Sequence, residues 1–229
     1  MVDIIYEDNH ILVCIKPQNI PSQADSSKDD DMLSLVKNYI KQKYNKTGNV
    51  YVGLVHRLDR PTGGVMVFAK TSKAASRLSM QIKNGEFQKK YYACVIGQPR
   101  IKSNTLKNYL KKDEKTNIVQ IVPQSLTGAK YAELDYQTLE TYQKQISLVD
   151  VSLKTGRSHQ IRVQLAYNGN PIFGDAKYSG DIVKNQNLSL WAYQLVFWHP
   201  ISKEKMTFKV LPPLAKAPWK YFENTISNR

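Results

Sequence analysis

Cysteine is nearly absent: the 229 residues include only two, Cys14 and Cys94. Each falls in an apolar stretch, residues 11–15 and 91–96. Both read as small core residues in a reducing compartment, which excludes a disulfide-built fold. No apolar run approaches the roughly 18 residues that a membrane-spanning helix needs. The opening Met1-Val2-Asp3-Ile4-Ile5-Tyr6-Glu7-Asp8 lacks the basic and apolar regions of a secretory signal. These absences predict a cytoplasmic protein with no membrane partner. Internal repeats and long linkers are also missing, so one domain over 1–229 is expected, long enough to bury a core. Acidic residues are scarce as well, 19 against 33 Lys and Arg, for a net charge of +14. Such a balance points to a polyanionic partner, because phosphate contacts supply much of nucleic-acid affinity.

The hydrophobic pattern reads as an α+β fold: a mixed, largely antiparallel sheet with flanking helices. Residues 4–6 and 11–15 form a hairpin around Glu7-Asp8-Asn9-His10, broken after Lys16 by Pro17. Residues 21–31 are polar and acidic and predict a mobile loop. Helical spacing in 32–44, with Leu33, Leu35, Val36, Tyr39, Ile40 and Tyr44, predicts a helix with lysines on its other face. A second helix is expected over 71–83, with Ala74, Ala75, Leu78 and Ile82 inward. Strands are expected at 65–68, 89–96, 118–122, 131–139, 146–153, 190–198 and 205–210, with a charged turn at 111–115. Trp219 and Phe222 are expected to dock the tail.

Four segments carry chemistry. The first is Val55-His56-Arg57-Leu58-Asp59-Arg60-Pro61-Thr62-Gly63-Gly64, which sets a carboxylate between two arginines just before the apolar run 65–68. Pro61, Gly63 and Gly64 predict a turn there, and loops held by rigid strands are where reacting groups tend to sit. The second is Thr155-Gly156-Arg157-Ser158-His159-Gln160-Ile161-Arg162. Ser158 is a plausible helix N-cap, which would send His159 and Arg162 out along one helical face. The third is Lys89-Lys90-Tyr91-Tyr92-Ala93, at the entrance of a strand. The fourth is the loop Gly169-Asn170-Pro171-Ile172-Phe173-Gly174-Asp175-Ala176-Lys177-Tyr178.

In this order and at these separations the segments resemble the RluA-type RNA pseudouridine synthases over nearly the whole chain. The opening hairpin through Lys16-Pro17 and the closing stretch from Leu190-Trp191-Ala192-Tyr193 to His199-Pro200 add to the resemblance. It implies isomerisation of a uridine in RNA to pseudouridine, with no cofactor and no metal. Such chemistry needs an ionised carboxylate able to attack or deprotonate the sugar. It also needs a flipped-out base, because a stacked base hides the reacting sugar atoms.

The resemblance carries over residue by residue. Asp59 matches the catalytic aspartate, Arg162 the arginine that pairs with it, and Tyr91 the tyrosine that packs on the target base. Arg57 matches a basic residue that holds the flipped nucleotide and its phosphates. His56, Arg157, His159 and Lys177 are grouped with it as expected RNA contacts. For the two histidines a hydrogen-bonding or structural role is the rival reading, since no acidic or cysteine cluster accompanies them at metal-ligand spacing.

One departure is Gly63, where the family commonly has serine; Gly suits a tight turn, so activity is expected to survive. The resemblance begins within the first few residues, which predicts a catalytic domain without the N-terminal RNA-binding module of many relatives. Two rival functions are a catalytically silent basic RNA chaperone and a glycosidase-like enzyme. The intact Asp59, Tyr91 and Arg162 set disfavours the first. The lack of a second carboxylate in the motifs disfavours the second. A monomer acting on tRNA or ribosomal RNA, with a lean to tRNA, completes the expectation.

Overall fold

The computed structural model describes residues 2–27, 29–180 and 186–229. They divide into two compact units, Met1–Lys89 with Ala192–Val210 and Lys90–Trp191 with Leu211–Arg229. The first unit opens with β1 (Asp3–Glu7) and β2 (Ile11–Lys16), an antiparallel hairpin as expected. Helix α1 (Met32–Lys43) follows, capped by Asp31, whose carboxylate accepts the Ser34 amide at 3.1 Å. Met32, Val36 and Ile40, four apart, form its buried stripe. After β3 (Gly53–Leu54) comes β4 (Gly63–Ala69), then α2 (Ser72–Lys83) with Thr71 as N-cap.

The middle of the chain builds the second unit: β5 (Gln88–Ile96), β6 (Ser103–Asp113), β7 (Ile118–Val122), β8 (Lys130–Tyr142), β9 (Ile146–Leu153) and helix α3 (Gln160–Tyr167). Hairpin β10 (Leu190–Trp198) and β11 (Lys205–Lys209) returns to the first unit. The tail ends in α4 (Glu223–Ser227), just after Trp219 and Phe222, which are both buried as expected. The strand order is β1-β2-β4-β10 in the first unit and β5-β9-β8-β6-β7 in the second. Antiparallel pairing dominates, and the fold is α+β.

Burial follows sheet position. Every residue of β4 is buried, because β2 and β10 flank it and both faces are covered. In β6, by contrast, Leu106 and Leu110 point inward while Lys107 and Lys111 are exposed, the alternation of a half-covered strand. Lys111 to Asp113 extend this strand, so the predicted charged turn begins only after them. A strand can carry charge wherever one face meets water. Gly63 and Gly64 likewise belong to β4 and not to the turn before it. Gly64 has φ +129°, and a Cβ there would lie 2.2 Å from the Ala192 carbonyl oxygen. The glycine thus answers a close strand approach.

Candidate active site

Asp59 sits in a turn whose backbone is tied at every step. The Ser22 hydroxyl donates to the Leu58 carbonyl at 2.8 Å and accepts the Leu58 amide at 3.1 Å. The Asp59 carbonyl accepts the Thr62 amide at 2.9 Å. The Arg60 carbonyl accepts from the Asn19 amide at 2.8 Å and from Lys16 Nζ at 3.0 Å. Gln18 Nε2 reaches the Pro61 carbonyl at 3.1 Å. Four consecutive carbonyls therefore have donors, and the turn that presents the Asp59 side chain is fixed before any substrate arrives.

Lys16 anchors this arrangement. It is fully buried at the end of β2, in register with Gly64. Its ammonium also donates to the Pro17 carbonyl at 2.9 Å and to the Ile20 carbonyl at 2.6 Å. One cation thus satisfies three carbonyls from two segments. Burial pushes its pKa down to about 7, against the opposing pull of the Asp59 charge. Sequence reasoning missed this role, and its one trace is a lysine that closes an apolar strand.

The neighbours of Asp59 divide by role. Arg57 is exposed. Arg60 turns instead to the loop after β2, donating to Ser27 Oγ at 2.9 Å and pairing with Asp25 and Asp29. His56 is buried, and its Nε2 accepts the Val67 amide at 3.1 Å. Burial holds its pKa down at about 3, so the ring stays neutral at Phe87, with 5.4 Å between ring centres. These contacts hold His56 in the framework beside the Asp59 turn.

In the second unit Tyr91 is buried within β5. Arg162, on α3, is 4% exposed and grips Asp175 at two points, Nε to Oδ2 at 2.8 Å and Nη2 to Oδ1 at 2.7 Å. That pair uses one edge of the guanidinium. The face of Tyr178 lies 5.1 Å from the guanidinium. The Tyr178 hydroxyl accepts the Val119 amide at 2.9 Å and meets His159 Nδ1 at 2.8 Å. Arg162, His159 and Asp175 thus meet around one tyrosine. Asp175 was present in the fourth segment, but nothing in the sequence singled it out.

Ser158 is not the N-cap of α3. That position is His159, with φ 51° and no side-chain cap. Gln160 organises the helix start instead, accepting from Thr155 Oγ1 at 2.8 Å and the Arg157 amide at 3.0 Å. Its Nε2 donates to the Glu133 carbonyl at 3.0 Å. Arg157 is exposed and donates through Nε to the Tyr131 carbonyl at 2.8 Å. Lys177, also exposed, gives its ammonium to the Asn117 carbonyl at 2.8 Å.

A family model described as RNA pseudouridylate synthase matches residues 10–167. The chain belongs to this family. Its relatives include an RNA pseudouridine synthase of Bacillus subtilis, 33% identical, with 89% of this chain and 66% of that one covered. A Helicobacter pylori RNA pseudouridine synthase is 31% identical over 97% of this chain and 69% of its own length. A Vibrio cholerae relative named ribosomal large subunit pseudouridine synthase C is 31% identical, over 89% and 63%. The chain therefore spans about two thirds of the length of these relatives. Among solved structures, human RNA pseudouridylate synthase domain containing 4 shares the fold with a TM-score of 0.78 at 21% identity, covering 98% of this chain and 93% of that one.

Proposed function

We propose that the protein isomerises specific uridines in RNA to pseudouridine. The observation that carries this reading is the Asp59 turn, in which all four carbonyls from Leu58 to Pro61 are tied within the family's motif. A carboxylate so held can meet a flipped nucleotide without reorganising. Asp59 acts on the ribose as the bond from its anomeric carbon to uracil nitrogen 1 breaks. The uracil then turns and carbon 5 joins the same sugar atom, releasing the hydrogen it carried. Tyr91 packs against the base, and Arg162 is the arginine that the family's motif matches to the catalytic carboxylate. Arg57 contacts the phosphates. The exposed Arg157 and Lys177 add positive charge.

The protein acts as a cytoplasmic monomer without cofactor. Its first target for testing is large-subunit ribosomal RNA, on the strength of the Vibrio relative's name, with tRNA as the second arm. The experiment is tritium release from RNA containing uridine tritiated at carbon 5, run separately on ribosomal RNA and tRNA. Release with wild-type protein and none with Asp59→Asn supports the reading, and equal release by the two proteins overturns it.

A further inference from the structure

The flank of α1 that faces away from Glu7 forms an open groove of about 700 Å³, lined by Lys37, Asn38, Lys41, Gly48, Asn49 and Tyr51 among others. Its charge is uncompensated. Residues 32–58 include Lys37, Lys41, Lys43, Lys46 and Arg57 but no aspartate or glutamate. On the other flank Glu7, nearly buried, takes up Lys43 at 2.7 Å and Lys70 at 2.6 Å. Tyr39 and Tyr44 donate to the same carboxylate at 3.0 and 2.9 Å. That cluster pins the helix and engages Lys43, leaving Lys37 and Lys41 outside it. Among the described residues no carboxylate lies within ion-pair reach of Lys37 or Lys41.

Lys37 and Lys41 are both exposed and lie one helical turn apart, so they present two cations on one line. Near them stand two carboxamides, Asn38 and Asn49, and Tyr51, which is 50% exposed. Cations that follow a backbone, beside an aromatic ring open to stacking, are the parts of a single-strand nucleic-acid groove. Carboxamides supply donors and acceptors for base edges. An ordinary solvated lysine face needs neither the ring nor the concavity.

We propose that this groove binds a single-stranded stretch of RNA, with adjacent phosphates on Lys37 and Lys41 and one unstacked base on Tyr51. The proposal rests on the reading that the protein acts on RNA, and it assigns part of substrate selection to a surface away from Asp59 in the sequence. A duplex offers the same phosphates but no free base face, so it should gain little from Tyr51.

The test is fluorescence anisotropy of the full chain with a labelled single-stranded uridine-rich RNA 12-mer and with a 12-base-pair RNA duplex, over a range of salt. Lys37→Ala/Lys41→Ala should weaken single-strand binding at least about fivefold and reduce the salt slope by about 1.4, or 0.7 for each lost phosphate contact. Tyr51→Ala should weaken the single strand at least about fivefold and leave the duplex nearly unchanged, while Tyr51→Phe binds like wild type. Lys216→Ala/Lys220→Ala, which removes two exposed lysines elsewhere, should change neither. Wild-type affinity in both groove variants would overturn the proposal. Equal losses for duplex and single strand in Tyr51→Ala would overturn it too. Tritium release separates the two readings. Normal release with unaltered groove binding removes the groove alone, and groove-dependent binding without release removes the isomerase alone.

Discussion

Arg162 and Asp175 form a two-point ion pair inside the second unit, with side chains 5% and 0% exposed. The pair fixes the plane of the guanidinium, and the Tyr178 ring braces it at 5.1 Å. Removing one partner from such a pair leaves a buried charge uncompensated. Asp175→Ala is therefore expected to cost about 3–5 kcal/mol, read by urea unfolding. Asp175→Asn keeps an acceptor for the guanidinium and should cost less, with kcat falling more than KM rises. A stability loss for Asp175→Ala no larger than that of an exposed aspartate would refute this description.

Lys16 gives a second prediction. Replacing it with methionine keeps the stem but removes the ammonium that joins the Pro17, Ile20 and Arg60 carbonyls. The Arg60 carbonyl keeps the Asn19 amide, but the Pro17 and Ile20 carbonyls lose this donor, so the variant should be destabilised in urea unfolding. Where it remains folded, product formation should drop while single-strand RNA binding holds. Ser22→Ala makes a milder version, since it frees only the Leu58 backbone groups.

His56 links stability to pH. Its folded pKa is about 3, below the ordinary 6.5, because burial disfavours the charged ring. Between those values the unfolded chain binds a proton that the native state does not, so stability falls as pH drops below 6.5. The contribution is full above 6.5 and reaches about 2 kcal/mol of loss by pH 5. Urea midpoints at pH 7 and pH 5 should therefore lie closer together in His56→Gln than in wild type.

Gly64 tests the strand approach. Its φ of +129° and the Ala192 carbonyl at 2.2 Å from a built Cβ leave no room for a methyl group. Gly64→Ala is expected to lose more than about 3 kcal/mol in thermal unfolding. Gly85→Ala, at positive φ but with open space around it, should lose less.

These residues also mark where the sequence was readable. The run 65–68 announced a buried strand because both faces of β4 are covered, so hydrophobicity is continuous there. The helix at α1 was legible from its four-residue stripe, while its Asp31 cap lay within a stretch that read as a polar, acidic loop. Asp175 was not, because its bond to Arg162 joins a loop to a helix through side chains that periodicity does not register. Lys16 looked like a strand end before proline, and only the folded chain stacks three carbonyls around it. The helix start was misassigned for a related reason. A serine two positions ahead fits the general N-cap preference, but Gln160 reaches back to the Arg157 amide and does the work locally.

The most direct test of the central claim is pseudouridine mapping of total RNA from cells lacking the gene, complemented with wild-type protein or Asp59→Asn. The account predicts one or a few uridines that lose modification, regain it with wild type, and stay unmodified with Asp59→Asn although that variant still binds RNA. Restoration by Asp59→Asn would contradict the role given to this carboxylate.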